Sequence, residues 1–155
     1  KGPTHALRVI SEILNARPTS PHTNLEPALR FLNHVVRRRS VAFLISDFIA
    51  PACERLLRVS ARRHDLVSLV IGDKRESALP AVGIVDFEDA ESGRRIWLDT
   101  SHAPTRRALL TRQTERRQTL LRQLARARSD AIELNAGERY DRQLVRFFRT
   151  REKRR

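Results

Sequence analysis

The stretch VAFLISDFIA, residues 41–50, places one serine and then an acid, Asp47, after an apolar run. The run Val41–Ile45 is rich in large and β-branched side chains, which is typical of a parallel strand buried on both faces. Open α/β sheets place their binding sites just beyond the carboxyl ends of such strands. Asp47 is therefore a candidate binding residue, and the alternative is that it caps a following helix that we expect to begin at Pro51.

The other ionisable side chains have no spacing typical of a catalytic or metal site. The sequence has five histidines: His5, His22, His34, His64 and His102. We expect His64, in ARRHD, at a helix C-terminus beside its carbonyls. Four acids flank an expected hairpin turn: Asp86, Glu88, Asp89 and Glu91. We interpret them as a solvated turn, with cation binding as the alternative. The chain has neither a glycine-rich phosphate loop nor a GxSxG elbow.

The sequence divides into nine predicted segments of secondary structure, which together form the fold that carries Asp47. The sequence predicts helices around Ala6–Leu14 and Leu25–Val36, the strand Val41–Ile45, a helix Pro51–Arg63, a strand in DLVSLVI, a hairpin within residues 82–100, a helix Pro104–Arg128, a strand in AIELNA, and a last helix whose apolar face carries Tyr140, Leu144, Phe147 and Phe148. Thr23 or Asn24 stands where the N-cap of the second helix is expected. This order predicts an α/β fold with a mainly parallel sheet.

The strand Val41–Ile45 needs neighbouring strands that only later segments supply. Because the sequence begins at Lys1 and contains no Met, we interpret it as part of a longer protein whose N-terminal strands are missing here. An uncovered apolar edge invites self-association. Cys53 is the only cysteine, so no intrachain disulfide can form, and we expect a buried thiol on a helix.

Several segments, in this order, resemble the von Willebrand factor type A domain, and within it the bacterial family DUF58, whose members are associated with MoxR-type AAA+ ATPases. The matching segments are TNLEPALRFLN, RRRSVAFLISDF, ARRHDL, ALPAVGIVDFEDAESG, LDTS and LVRFFRTREKRR. The resemblance covers the whole chain. It implies a doubly wound, Rossmann-like sheet with a β-hairpin insertion, of which residues 1–155 form the C-terminal part of a single domain.

The resemblance also implies a metal-ion-dependent adhesion site, in which a divalent cation, usually magnesium, is held by three loops. The family's second loop supplies a Thr and its third an Asp, which correspond here to Thr23 and Asp47. Asn24 and Ser46 are candidates to hydrogen-bond the groups that hold the metal. The first loop carries an Asp-x-Ser-x-Ser motif, but no Asp precedes Asp47 in this sequence. We therefore expect Mg²⁺ binding in the intact parent rather than in this chain alone.

The resemblance implies a non-enzymatic, cytoplasmic protein-binding module that acts as an adaptor for a MoxR-type ATPase in assembly or remodelling. One rival is a metal-dependent hydrolase or phosphoryl-transfer enzyme that uses Asp47. The other is nucleic-acid binding through the C-terminal third, since 16 of the 31 Lys and Arg residues but only 6 of the 18 acids lie from Ser101 onward, and the chain ends in a basic tail, 149–155. No apolar run is long enough to span a bilayer.

Overall fold

The computed structural model describes residues 2–17, 22–73, 79–88 and 93–152. The helices are α1 (Pro3–Asn15), α2 (Leu25–Val35), α3 (Glu54–Arg63), α4 (Ala103–Ala127) and α5 (Asp141–Glu152). The strands are β1 (Val41–Ser46), β2 (Asp65–Gly72), β3 (Ile84–Glu88), β4 (Arg95–Asp99) and β5 (Asp130–Asn135). The predicted α/β fold with a parallel sheet and a separate hairpin is confirmed.

Strand β2 is the centre of a three-stranded parallel sheet of order β1-β2-β5. In the register, Leu44 of β1 lies beside Ser68 of β2, and Ser68 lies beside Ala131 of β5. Positions 66 to 70 are all buried, as expected for a strand covered on both faces. Helices therefore flank both faces of the sheet around β2.

The two faces of the sheet carry separate apolar clusters. On one face, buried Leu29 of α2, Leu57 of α3 and Leu124 of α4 pack with Leu66 and Val70 of β2. The opposite cluster is smaller, and its members are Val67, Leu69, Ile132 and Leu134, against which Leu144 and Phe147 of α5 pack. Arg151 secures α5 further by ion pairs with Asp65 and Asp130, at the start of β2 and of β5. The sheet is thus held between α2, α3 and α4 on one side and α5 on the other.

Strand β1 is buried on one face and not on two, so that expectation was wrong. Ala42 and Leu44 pack against the larger cluster. Val41, Phe43 and Ile45 point the other way and are 51, 47 and 64% exposed. The reason is that β1 lies at the edge of the described sheet, whereas α5 packs mainly against β2 and β5. Phe148 of α5 does meet this face, edge-on to Phe43 at 6.1 Å between ring centroids.

Three boundaries near the helices also differ from expectation. Helix α3 begins at Glu54 rather than Pro51, because Cys53, with φ of −123° and ψ of 37°, still has the non-helical backbone of an N-cap residue. Tyr140 precedes α5 and is 63% exposed, so it lies outside the packed face of that helix. Residues 149–152 of the predicted basic tail, 149–155, belong to α5, and residues 153–155 lie outside the described residues.

Helix α1 has the expected amphipathic pattern, yet none of its side chains is buried. Leu14, for example, is 79% exposed. Its apolar stripe therefore contributes little to the core described here. None of the helices in the described ranges has the length and apolarity needed to span a bilayer.

Candidate functional site at the carboxyl edge of the sheet

The chain leaves β1 through a turn that its own side chains hold. The Ser46 hydroxyl accepts the backbone N–H of Phe48 at 2.9 Å, and Oδ1 of Asp47 accepts that of Ile49 at 3.0 Å. Phe48 adopts the left-handed conformation, with φ of 58°, and is buried in the larger apolar cluster. Short polar side chains stabilise such turns by replacing backbone partners. The buried ring of Phe48 therefore fixes the backbone on which Asp47 stands, while Asp47 itself is exposed.

Asp47 lines a groove of about 1070 Å³ that runs past the carboxyl ends of all three parallel strands. The sheet side of the groove includes Asp47 and Ile49 after β1, Gly72 and Asp73 at the end of β2, and Glu133 and Asn135 at the end of β5. Helix α4 supplies the opposite wall between Leu109 and Leu121. This position agrees with the general rule for open α/β sheets.

Helix α4 reaches over the groove because its two ends have different roles. Leu124 and Ala127, near its C-terminus, are fully buried in the core. Arg128 then adopts the left-handed conformation that ends the helix, with φ of 61°. The preceding turns, from Leu109 to Leu121, extend past the sheet and present a mixed apolar and basic surface to the groove.

The floor of the groove is a close contact between α4 and the strand ends. Arg117 forms an ion pair with Glu133 of β5, and a Cβ atom on Gly72 would lie 3.2 Å from its Nη1. The same Cβ would lie 3.5 Å from Oδ1 of Asn135. Glycine therefore allows the guanidinium to lie against the end of β2. Because both partners of the ion pair are 39% exposed, it positions Arg117 more than it stabilises the fold.

Two further arginines of α4, Arg112 and Arg116, line the groove and have no ion pair among the described residues. Ile49, Ile71 and Leu109 provide apolar surface between these charges. A lining that combines apolar surface with a few polar groups is typical of a site that binds another molecule. The groove can therefore accept a chain segment that has both apolar and charged side chains.

The four residues predicted for the metal site do not all meet in the groove. Asp47 lines it, whereas Thr23, Asn24 and Ser46 do not. Asn24 is the N-cap of α2, and its Oδ1 accepts the N–H of Glu26 at 3.0 Å. Thr23 is half-buried and precedes this cap. Between Thr23 and Asn24, the cap therefore falls on Asn24.

Within the described ranges, no three His, Cys, Asp or Glu residues lie close enough together to hold a metal ion. Magnesium requires about six oxygen ligands in octahedral array. Asp47 offers one carboxylate, of which Oδ1 already accepts the N–H of Ile49. The residues described here do not by themselves fit a magnesium ion, and any ion at Asp47 would need oxygen ligands from elsewhere.

Two other predicted groups lie away from the groove. Cys53 is the N-cap residue of α3 and is half-buried rather than buried. Burial, and then the nearby carboxylate of Glu26, raise the pKa of its thiol. His64 is at the C-terminus of α3 as expected, but it is 1% exposed, and neither ring nitrogen has a hydrogen-bond partner among the described residues.

The acids of the hairpin are not simply a solvated turn. Asp86 lies within β3 and forms an ion pair with Arg95 of β4, and its side chain is only 16% exposed. Glu88 ends β3 and is exposed. Asp89 and Glu91 lie outside the described residues. The sequence pattern missed the ion pair because it depends on the strand register.

Asp73 and Asn135 were missed by sequence reasoning, although each follows or ends a parallel strand as Asp47 does. The rule that strand ends share one sheet edge would have identified both. Arg117 and Glu133 carried no comparable signal. Arg117 and Glu133 are 16 positions apart in the sequence, and they come into contact only because α4 packs over β5.

Comparison with known proteins shows which family the chain belongs to. The model of the family described as "Protein of unknown function DUF58" matches residues 1–119. Over 88 residues, 56% of this chain, the sequence is 40% identical to uncharacterized proteins of Mycobacterium bovis and Mycobacterium tuberculosis, and this stretch covers 27% of each relative. It is 36% identical over 88 residues to an uncharacterized protein of Mycobacterium avium, covering 52% of that protein. No solved structure matches significantly. The chain thus spans about a quarter to a half of these relatives.

Proposed function

Since the chain belongs to the DUF58 family of proteins of unknown function, we propose that it is the protein-binding part of a cytoplasmic, non-enzymatic adaptor. The surface that binds is the groove at the carboxyl edge of the sheet. The resemblance to DUF58 proteins, whose members are associated with MoxR-type AAA+ ATPases, supports such an ATPase as the partner, in assembly or remodelling. The resemblance to von Willebrand factor type A domains supports dependence on a divalent cation in the intact protein.

The observation that carries the proposal is the placement of Asp47 in a groove that all three parallel strands and α4 share. The wall formed by α4 from Leu109 to Leu121 is about 18 Å long at 1.5 Å per residue. A helix or extended segment of a partner could lie along it. Its apolar and basic side chains provide both area and charge for recognition.

A cation would give Asp47 a specific role in this proposal. When bound, Mg²⁺ would attract a carboxylate of the partner, and Asp47 would contribute a carboxylate oxygen, directly or through water. The turn between Ser46 and Ile49 would hold that carboxylate at the groove. The remaining ligands would come from outside the residues described here.

Nucleic-acid binding is the second candidate, because Arg112 and Arg116 are groove residues without an ion pair among the described residues. Such charges bind phosphates, with a strong dependence on salt. We expect only the non-specific level, a Kd of about 10⁻⁴ to 10⁻⁶ M at physiological salt. Sequence-selective binding in the nanomolar range would instead favour this second candidate. A metal-dependent hydrolase or phosphoryl-transfer enzyme that uses Asp47 is a further alternative. No feature of the groove among the described residues favours it.

The direct test is the affinity of the intact DUF58 protein for the purified MoxR-type ATPase, measured by calorimetry in Mg²⁺ and in a chelator. We expect Mg²⁺-dependent binding that Asp47→Asn weakens at least tenfold. Asn keeps an acceptor for the N–H of Ile49, so the turn is retained while the charge is lost. The matched control is Glu12→Gln, on exposed α1, which should bind as the wild type does. Equal affinity of wild type and Asp47→Asn in both conditions would contradict the proposal.

A further inference from the structure

The hairpin of β3 and β4 has an outward face that the groove does not use. In its antiparallel register Ile84 is opposite Asp99, Asp86 opposite Trp97, and Glu88 opposite Arg95. Because side chains alternate along a strand, these six lie on one face of the hairpin. Val85, Phe87 and Leu98, which are half-buried, lie on the other face.

Two apolar side chains of this outward face are unusually exposed. Trp97, the only tryptophan of the chain, is 69% exposed, and so is Ile84. They are diagonal neighbours across the two strands, a distance that an aromatic side chain bridges. Tryptophan is among the residue types most enriched at the positions that dominate protein–protein binding energy. An exposed Trp beside an exposed Ile therefore marks a surface for a partner.

The base of the hairpin is joined to the start of α4 by a set of hydrogen bonds. Thr100 is fully buried, and its hydroxyl donates to the carbonyl of Gly83 at 2.7 Å and accepts the N–H of Val82 at 3.1 Å. The guanidinium of Arg106, in the first turns of α4, donates to the carbonyls of Thr100 and Ser101. These hydrogen bonds fix the ends of β3 and β4 nearest α4, which lowers the cost of ordering when a partner binds at Trp97.

The charges around Trp97 indicate which partner would bind. Asp86 is neutralised by Arg95. Glu88 and Asp99 have no ion pair in the part of the chain that the structure describes, so this face is locally acidic although the chain has a net charge of +13. A cation over an indole ring gains further attraction from the ring itself. The surface thus complements a basic side chain that lies on Trp97 and points to Asp99.

We infer that the outward face of the β3–β4 hairpin is a second docking surface, for a basic segment of a partner protein. An Arg or Lys of that segment stacks on Trp97 with its charge toward Asp99, and a neighbouring apolar side chain contacts Ile84. This surface does not depend on the groove or on Asp47, since it is built from different elements.

The test is selection of a random library of twelve-residue peptides on the immobilised full chain, with the Trp97→Ala chain as counter-selection. We expect the enriched peptides to combine Arg or Lys with an apolar residue. Anisotropy of one such fluorescein-labelled peptide should show affinity at least tenfold weaker for Trp97→Ala and for Asp99→Asn. The amide oxygen introduced by Asp99→Asn can still accept the N–H of Ser101, as Oδ1 of Asp99 does at 2.8 Å, so the turn is retained.

Two control variants separate this surface from others. Phe31→Ala removes an aromatic side chain of similar exposure, 68%, on α2, and Asp47→Asn removes a negative charge at the groove. Both should bind the peptide as the wild type does. Enrichment of acidic or uncharged peptides, or no binding that depends on Trp97, would overturn the inference. A blue shift of Trp97 emission with rising protein concentration, lost in Asp99→Asn, would overturn it in favour of a second copy of the chain.

Discussion

The backbone N–H of Ile49 donates a hydrogen bond to Oδ1 of Asp47 at 3.0 Å, so the carboxylate that lines the groove also holds the turn after β1. These two roles of Asp47 can be separated by substitution. Without metal, Asp47→Ala should lower the free energy of unfolding by about 1 kcal/mol, because a side chain that satisfies a backbone N–H is lost. Asp47→Asn should leave it nearly unchanged. Urea denaturation in a chelator would measure both, and equal losses for Ala and Asn would show that the charge, not the hydrogen bond, stabilises the turn.

Cys53 should react slowly with alkylating reagents at pH 8. Burial first, and then the carboxylate of Glu26, raise the pKa of its thiol, and only the thiolate is the nucleophile. The folded chain should react with iodoacetamide more slowly than the urea-unfolded chain, and Glu26→Gln should speed the folded reaction. Glu12→Gln, which changes a carboxylate on α1, should not.

The same raised pKa has a consequence for stability. The folded state holds the thiol proton more tightly than the unfolded state does. The protonated thiol therefore makes its full contribution to the free energy of unfolding below the ordinary thiol pKa of about 8.5, and this contribution is lost as the pH rises above that value. The free energy of unfolding should therefore fall slightly more with alkaline pH in the wild type than in Cys53→Ser. Identical pH dependence of the two proteins would contradict the effect of burial on Cys53.

The exposed face and edge of β1 should make the chain self-associate. Ile45 is 64% exposed on the edge strand of the described sheet. A lysine on an edge strand opposes pairing with another chain. Ile45→Lys should therefore reduce the association seen by sedimentation velocity over a concentration series, whereas Ile45→Val should associate as the wild type does. A wild-type chain that stays monomeric at all concentrations would contradict this.

Sequence periodicity predicted most of the fold because the strongest signals are local. The nearly continuous apolar run of β2, interrupted only by Ser68, predicted a buried strand, and the order of elements predicted parallel pairing. The same kind of apolar run misled at β1, because periodicity does not say how many helices cover a strand. The apolar stripe of α1 correctly predicted a helix, but it did not say what covers that helix, and no described element does.

The candidate site was predictable only where a residue follows a strand. Asp47 could be identified from its position alone, and Asp73 could have been identified by the same reasoning. The ion pair of Arg117 with Glu133 could not, because it depends on how far α4 extends over β5. The role of Gly72 likewise follows from the position of that guanidinium and not from any local turn.

The most direct test of the central claim is where a partner protects the intact protein from hydrogen exchange. With the MoxR-type ATPase and Mg²⁺ present, amides of α4 from Leu109 to Leu121 and of the turn around Ile49 should become protected relative to the free protein. Amides of α1 should not change. In Asp47→Asn this protection should be lost while the exchange of buried β2 stays the same. Protection confined to surfaces other than the groove, or unchanged in Asp47→Asn, would contradict the account.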